Sequence, residues 1–154
     1  MGPFGMESNA FLRHHADLDD RLERLLRCAE GGECHDLAEE WKAFEGGLER
    51  HFAMEESDLL PEFARAYPDE ATALRQEHEE LRRDLLALGI RSDLHLLRAE
   101  AVREFVTNLR AHAKREEEVL YPWADRELRA GTWARIKAAL EHAEQADVQA
   151  PTHP

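Results

Sequence analysis

One pattern occurs twice in the chain and constrains its fold more than any other feature. The pattern H-x-x-x-E-E-x-x-L-x-P begins at His51 and again at His112, 61 residues later. In each copy the histidine and the first glutamate (Glu55 or Glu116) are four residues apart. On a helix the two side chains then lie on one face, about 6 Å apart along the axis, which suits convergence on a metal ion. The repeat therefore predicts two similar helices that turn their His/Glu faces toward one centre.

Apolar residues recur every three or four positions along four long segments, which is typical of amphipathic helices. Alternating polar and apolar runs, which would predict strands, do not occur in the sequence. Gly46 and Gly47 fall inside the second helical pattern, where they indicate close packing or a local irregularity. The predicted helices run from Ser8 or Asn9 to about Glu30, from Asp36 to Pro61, which ends or kinks the helix, from Pro68 to Gly89, from Ser92 or Asp93 to Tyr121-Pro122, and over about 132–146.

These segments predict an all-α fold. Short connections between four long amphipathic helices favour an up-down-up-down four-helix bundle, with an additional C-terminal helix against one side or end. We expect a single domain over residues 8–146, with its core in 8–124 and the C-terminal helix at about 132–146. Residues 1–7 and 147–154 are predicted to be flexible ends.

The repeat is larger than the eleven-letter pattern. His15 and Leu18 on the first predicted helix correspond to His78 and Leu81 on the third, 63 residues later. Helices one and two therefore resemble helices three and four as a duplicated hairpin. The bundle should have an internal pseudo-twofold axis, with one inward histidine on each of the four helices.

Buried carboxylates on the second and fourth helices need compensation. An unpartnered buried carboxylate costs several kcal/mol. Metal ions coordinated by His and Glu side chains would offset that cost directly, whereas an internal His/Glu hydrogen-bond network is the alternative. Ferritin-like di-iron bundles use Glu-x-x-His pairs, and no histidine in this chain has a glutamate three residues before it. That class of metal site is disfavoured.

The order of these residues resembles the hemerythrin-like (HHE cation-binding) family over nearly all of 8–124. The resemblance implies a four-helix bundle with a centre of two non-haem iron ions, terminal histidines and bridging carboxylates, with room for an oxo or hydroxo bridge. His14, one position off register, is the alternative to His15 as the first ligand. On this basis the predicted metal ligands are His15, His51, Glu55, His78, His112 and Glu116.

The chain departs from the oxygen-carrying hemerythrins, which have a fifth histidine. Leu74 and Arg82 occupy the positions one helical turn from His78 where that ligand would lie. An open, symmetric site of this kind suits the binding or reduction of a small oxidant, namely peroxide, dioxygen or nitric oxide, as in a di-iron oxidoreductase that decomposes peroxide. The alternatives are a non-catalytic iron- or oxygen-responsive sensor acting through a partner protein, and a structural zinc site.

Residues around the predicted ligands carry weaker expectations. Glu56 and Glu117 follow ligands by one position, about 100° around the helix, and are expected to form surface salt bridges, with support of a ligand imidazole as the alternative. Tyr121 is expected to pack near the end of its helix, with donation to a bound oxygen species as the alternative. Asp58 is expected either to support the site or to lie at a solvated helix end.

Charge and cysteine usage limit the partners and the location. A net charge of −13 disfavours binding to nucleic acid or to an anionic membrane surface. No apolar run approaches the ~20 residues that span a bilayer. Only Cys28 and Cys34 are present, without a C-x-x-C motif or an apolar secretory segment at the start, which favours a cytoplasmic location.

Overall fold

The fold is helical throughout the part of the chain that the computed structural model describes, residues 7–32, 36–93 and 95–148, with side chains described as far as Glu141. Two short segments, Glu55–Leu59 and Glu116–Leu120, are π-helical. These ranges contain no strand, so the predicted all-α class is confirmed. The α-helices in them are α1 (Asn9–Ala29), α2 (Leu37–Met54), α3 (Leu60–Ala66), α4 (Pro68–Asp93), α5 (Ala99–Arg115), α6 (Tyr121–Glu127) and α7 (Ala130–Val148).

The four long helices contact one another in a ring. Helix α1 packs against α2 and α5, and α4 packs against the same two helices. The additional C-terminal helix is also present as α7, which contacts α2 and α1. It begins two residues before the predicted start and continues through 147–148. Residues 1–6 and 149–154, most of the predicted flexible ends, lie outside the described residues.

Two apolar clusters fill the bundle at opposite sides of the histidine positions. The Phe11 cluster includes Phe11, Phe63 and Trp123, and the Trp41 cluster includes Trp41 and Phe105. Helices α1 and α4 run from the Phe11 cluster to the Trp41 cluster, whereas α2 and α5 run the other way. Successive long helices therefore alternate in direction.

Helix ends in the first hairpin follow the predicted signals. The Gly31 N–H donates to the Cys28 carbonyl, and the Gly32 N–H donates to the Arg27 carbonyl at 2.9 Å. Gly31 has φ of 96°, the left-handed conformation that glycine adopts most easily at the end of a helix. At the start of α2, Asp36 Oδ1 accepts from the Glu39 N–H at 3.1 Å. The predicted glycine stop and aspartate cap are both confirmed.

The predicted end of the third helix at Gly89 is wrong. Helix α4 continues through Gly89 to Asp93, and α5 begins at Ala99 rather than at Ser92 or Asp93. Gly89 allows α2 to approach closely, because a Cβ atom there would clash with the Glu45 carboxylate and lie 3.0 Å from the Trp41 indole nitrogen. The glycine therefore serves packing between helices and does not end one.

Prolines do not end the second and fourth helical segments in the predicted way. Pro61 and Pro122 lie in the first turn of α3 and α6, and the chain stays helical on both sides of each. A proline is tolerated in a first turn because its missing N–H would have no acceptor there. The irregularity comes instead from the π-helical segments, where the Leu60 N–H bonds to the Glu55 carbonyl. Helix α2 passes through Gly46 and Gly47 without a break, and Gly47 is buried.

Among the described residues, no helix combines the length and the apolar character that spanning a membrane requires.

Candidate metal centre

Six side chains from the four long helices and the two π-helical segments converge between the apolar clusters. In each half of this centre, one candidate ligand atom per residue lies within 4.8 Å of all the others. Glu55 and Glu116 belong to both halves. The first half-site is His15, His51, Glu55 and Glu116, and the second half-site is Glu55, His78, His112 and Glu116. All six residues predicted from the sequence are thus brought together.

Each π-helical segment begins at one of the shared carboxylates. Glu55 and Glu116 are the first residues of the two segments, directly after α2 and α5. The wider turn is the same in both copies of the repeat, since the Tyr121 N–H bonds to the Glu116 carbonyl just as the Leu60 N–H bonds to that of Glu55. Single π-helical turns inside α-helices occur frequently at functional sites. The pseudo-twofold repeat therefore extends to the backbone that positions the carboxylates.

Five inward-facing atoms of the centre lack hydrogen-bond partners. Glu55 Oε1, His78 Nε2, His112 Nε2 and both Glu116 oxygens are buried, and no hydrogen bond satisfies them. His112 Nε2 lies 3.2 Å from Glu116 Oε2, and His78 Nε2 lies 3.5 Å from Glu55 Oε1, without hydrogen-bond geometry. Unpartnered buried polar atoms are costly, and a His/Glu hydrogen-bond network would have satisfied them. The donor set therefore fits bound cations better than the network alternative.

The outer nitrogen of each imidazole is hydrogen-bonded away from the centre. Three carboxylates and one histidine supply the partners. Because a carboxylate only accepts, the imidazole Nδ1–H must donate, so that in the neutral imidazole the Nε2 lone pair is directed at the centre. The pairs are His15 with Glu117, His78 with Glu56 and His112 with Glu77, each at 3.0 Å, and His51 with His14 at 2.7 Å.

Glu56 and Glu117 do more than form surface salt bridges: Glu56 pairs with Arg82, and both glutamates also hydrogen-bond a histidine of the centre. Each residue follows a shared carboxylate by one position, and this rotation turns it toward the neighbouring helix of the ring. Glu56 on the first π-helical segment reaches His78 on α4, and Glu117 reaches His15 on α1. A helical periodicity read from one segment cannot show which residue of an adjacent helix lies opposite.

His14 and Glu77 occupy equivalent positions in the repeat, one residue before His15 and His78. His14 is buried behind His51 and belongs to neither half-site, so the structure places His15, not His14, among the converging groups. Burial, together with the charge of His51, lowers the pKa of His14 to about 3. His14 is therefore neutral and can accept the His51 Nδ1–H. Glu77 was missed by the sequence reasoning, although its offset from His78 matches that of His14 from His15.

Arginines hold two of these supporting carboxylates. Arg82 donates to both Glu56 oxygens at 2.7 and 2.8 Å, and Arg115 donates to Glu77 Oε2 at 2.7 Å. Burial of Glu56 opposes its ionisation, but hydrogen bonds from Arg82 and His78 outweigh burial and lower its pKa. Arg82 therefore supports a ligand position from outside instead of supplying the fifth ligand. Leu74, at the other position where a fifth histidine would lie, is fully buried in the Phe11 cluster.

Tyr121 reaches the first half-site and does not merely pack at a helix end, as the sequence suggested. Its hydroxyl oxygen lies 2.7 Å from His15 Nε2 and donates to Glu55 Oε2 at 3.1 Å. Burial raises the pKa of Tyr121 well above its usual value, so the phenol keeps its proton. The equivalent residue of the other repeat is Leu60, and the phenol therefore makes the two half-sites different. Asp58 is partly exposed and belongs to neither half-site.

Without a cation, protonated histidines offset the buried carboxylates. Burial opposes the charge on His15, but Glu116 and Glu117 outweigh it and raise the pKa of His15 to about 10. His78 likewise has its pKa raised to about 10, because Glu116 and Glu55 outweigh burial. A metal ion must displace these protons in order to bind through the same nitrogens.

A cavity of about 290 Å³ opens beside the first half-site, between α1 and α5. Its lining includes His15, His51 and His112 from the centre and Asp19 and Arg110 at the surface. The His15 side chain retains 10% of its exposure, whereas those of His78 and Glu55 retain none. The first half-site is therefore more accessible from the surface than the second.

Comparison with known proteins agrees with the geometry. The family model described as the hemerythrin HHE cation-binding domain matches residues 6–124, and it matches residues 71–150 in a second, overlapping alignment. No curated protein and no solved structure matched the chain. The first alignment covers most of the chain and all six converging residues. The chain belongs to the hemerythrin HHE cation-binding domain family.

Proposed function

We propose that this is a non-haem di-iron protein that binds or reduces a small oxidant, namely peroxide, dioxygen or nitric oxide. The observation that carries the proposal is the pair of half-sites that share Glu55 and Glu116 around unpartnered inward atoms. Imidazole nitrogens and carboxylate oxygens are suitable ligands for iron. His15, His51, His78 and His112 would each supply one nitrogen, and the two glutamates would be shared. Two bound irons would supply exchangeable electrons and open coordination positions.

Several features favour reaction with a small oxidant over reversible oxygen carriage. The cavity beside His15 has a volume of about 290 Å³, which admits a small molecule. Each half-site holds two histidines. Arg82, at a position where the fifth histidine of an oxygen carrier would lie, donates to Glu56 and supplies no ligand. The Tyr121 hydroxyl, which lies 2.7 Å from His15 Nε2 and donates to Glu55 Oε2, holds a proton beside the first half-site.

Metal analysis and rapid mixing would test this function. After anaerobic loading with ferrous ion, we expect close to two irons per chain, and elemental analysis of the protein as purified would separate iron from zinc. Stopped-flow mixing of the loaded protein with peroxide is expected to show repeated turnover. Protein that takes up no iron under these conditions would contradict the proposal.

An iron- or oxygen-responsive sensor that acts through a partner protein is the second candidate. Leu86 and Ile90, four residues apart on α4, lie on one face and are 64% and 52% exposed. Such an apolar pair favours contact with another protein. In the same stopped-flow experiment, a single stoichiometric oxidation without turnover would support the sensor.

A cytoplasmic location is part of the proposal, although the cysteines do not support it. Cys28 is disulfide-bonded, so cysteine usage does not support a reducing compartment. The net charge of −13 supports a protein without nucleic-acid or anionic membrane partners. Fractionation of cells that produce the protein would test its location.

Replacing Tyr121 with phenylalanine is expected to slow the reaction with peroxide by about tenfold or more. The change removes the hydroxyl that lies against His15 and Glu55 but keeps the ring stacked on Phe11. Iron content and melting temperature should stay close to those of the unmodified protein. Tyr67→Phe is the matched control, because Tyr67 is 47% exposed and lies outside both half-sites. Equal peroxide rates for the two variants would exclude a role for the Tyr121 hydroxyl.

A further inference from the structure

A second cavity, of about 1060 Å³, lies where α3, α6 and the start of α7 meet. It shares no lining residue with the metal centre or with the smaller cavity beside it. Four arginines and two aromatic residues stand out in its lining: Arg65, Arg126, Arg129, Arg135, Tyr67 and Trp123.

The four arginines have no ion-pair or side-chain hydrogen-bond partners among the described residues, and they lie together around one cavity. The sequence holds 33 acidic residues against 20 lysines and arginines. Elsewhere, Arg82, Arg110 and Arg115 each bind two carboxylates. The cavity arginines form no ion pair or side-chain hydrogen bond within the described ranges, although Glu62 and Glu127 also line the cavity. The lining therefore keeps an excess of positive charge and free guanidinium donors.

Helix α7 adds a second source of positive potential. The helix is 19 residues long, and Gly131 and Thr132 of its first turn line the cavity. A helix N-terminus presents backbone N–H groups without intrahelical acceptors and carries partial positive charge. No acidic residue lies in the first turn of α7, in contrast to α2, α4 and α5. Nothing on the helix itself neutralises its N-terminus.

We propose that this cavity binds a small phosphorylated molecule that carries a planar ring, such as a nucleotide. Guanidinium groups bind phosphate oxygens in a bidentate manner, and phosphate is a common ligand of helix N-termini. Tyr67, which is 47% exposed, provides a ring surface against which a base can stack. The cavity is large enough for a ligand of this size. Long nucleic acids are disfavoured by the net charge of −13.

Gly131 offers a substitution that separates binding from folding. A Cβ atom at this position would have no neighbour within 4 Å. Gly131→Asp therefore introduces a negative charge beside the arginines without a clash, and an acidic residue in the first turn stabilises a helix. Gly131→Ala is the matched control, because it adds a side chain at the same place without charge. A third variant, Arg129→Gln combined with Arg135→Gln, removes positive charge from the same lining.

Titration calorimetry with ADP tests the site on the iron-loaded full chain. Adenosine tests the ring alone, pyrophosphate tests the phosphoryl charge alone, and citrate tests whether carboxylates substitute for phosphate. We expect ADP to bind more tightly than adenosine, pyrophosphate or citrate, and its affinity to fall as salt is raised. Gly131→Asp and the double arginine variant should weaken ADP binding by about tenfold or more, whereas Gly131→Ala should stay within about twofold.

Iron content and melting temperature, measured for every variant, distinguish a lost anion site from a damaged protein. ADP bound to iron at the metal centre would not respond to Gly131→Asp. Absence of ADP binding at about 1 mM, or equal affinities of the Gly131→Asp and Gly131→Ala proteins, would overturn the proposal. Neither result would bear on the metal centre, whose loading is measured separately.

Discussion

Glu116→Gln is expected to lower the iron content from about two ions per chain to one or none. Glu116 belongs to both half-sites, is fully buried, and has two oxygens without hydrogen-bond partners. Glutamine has nearly the same shape but carries no charge, and its amide nitrogen cannot serve as a ligand. Loss of a residue that merely supports a ligand commonly weakens metal binding by about 10- to 100-fold, so loss of a shared ligand should cost at least as much. Ferrous titration followed by iron analysis measures the effect.

Glu118→Gln on the same π-helical segment is the control for this substitution. Glu118 is 63% exposed and lies 3.9 Å from Lys114, outside both half-sites. Its replacement should leave iron content unchanged. Apo Glu116→Gln protein should melt lower than the unmodified apo protein, because it loses the carboxylate that stabilises protonated His15 and His78. Iron uptake is therefore compared at a temperature at which both apo proteins are folded. Retention of two irons at undiminished affinity would show that Glu116 is not a ligand.

Removal of metal is expected to lower the melting temperature, and the loss should grow between pH 7 and pH 10. In the apo protein the pKa values of His15 and His78 are raised to about 10, from an ordinary value near 6.5. The stabilisation from these protonated histidines is fully present below pH 6.5 and is lost as the pH rises through 10. The expected loss is on the order of several kcal/mol, or roughly 10 °C for a chain of this size.

In the loaded protein, metal replaces those protons, so its melting temperature should vary less over the same range. Circular dichroism melts of chelator-treated and iron-loaded protein at several pH values would measure the difference. Metal binding near pH 8 should also release protons, which a pH indicator in weak buffer detects. His15→Gln is the informative variant, because it should flatten the alkaline decline of the apo protein. Equal melting temperatures of apo and loaded protein at pH 9 would argue against a buried metal centre.

Local sequence signals predicted those elements that depend on neighbours in the chain. The Gly31 stop and the Asp36 cap act within one helical turn, and both occur as expected. Gly89 misled because the same residue type ends helices and also permits close packing. Only its contact with α2, through Glu45 and Trp41, distinguishes these roles. The prediction that Pro61 ends or kinks its helix was wrong for a similar reason. The π-helical turn before each proline places it in the first turn of the next α-helix, where a backbone N–H would have no acceptor.

For the metal centre, the repeat and the resemblance to the hemerythrin-like family predicted six candidate ligands from the sequence, because spacing on a helix indicates the face of each side chain, but His14 stayed open as the alternative to His15. Only the tertiary structure decided which side chains hydrogen-bond to these six residues. Glu77 behind His112, His14 behind His51 and the Tyr121 hydroxyl against His15 are contacts between residues 35 to 106 positions apart. Such pairs depend on the register of one helix against its neighbour. That register is set by the packing of side chains from different helices, and the apolar pattern of one helix does not show how it packs against another.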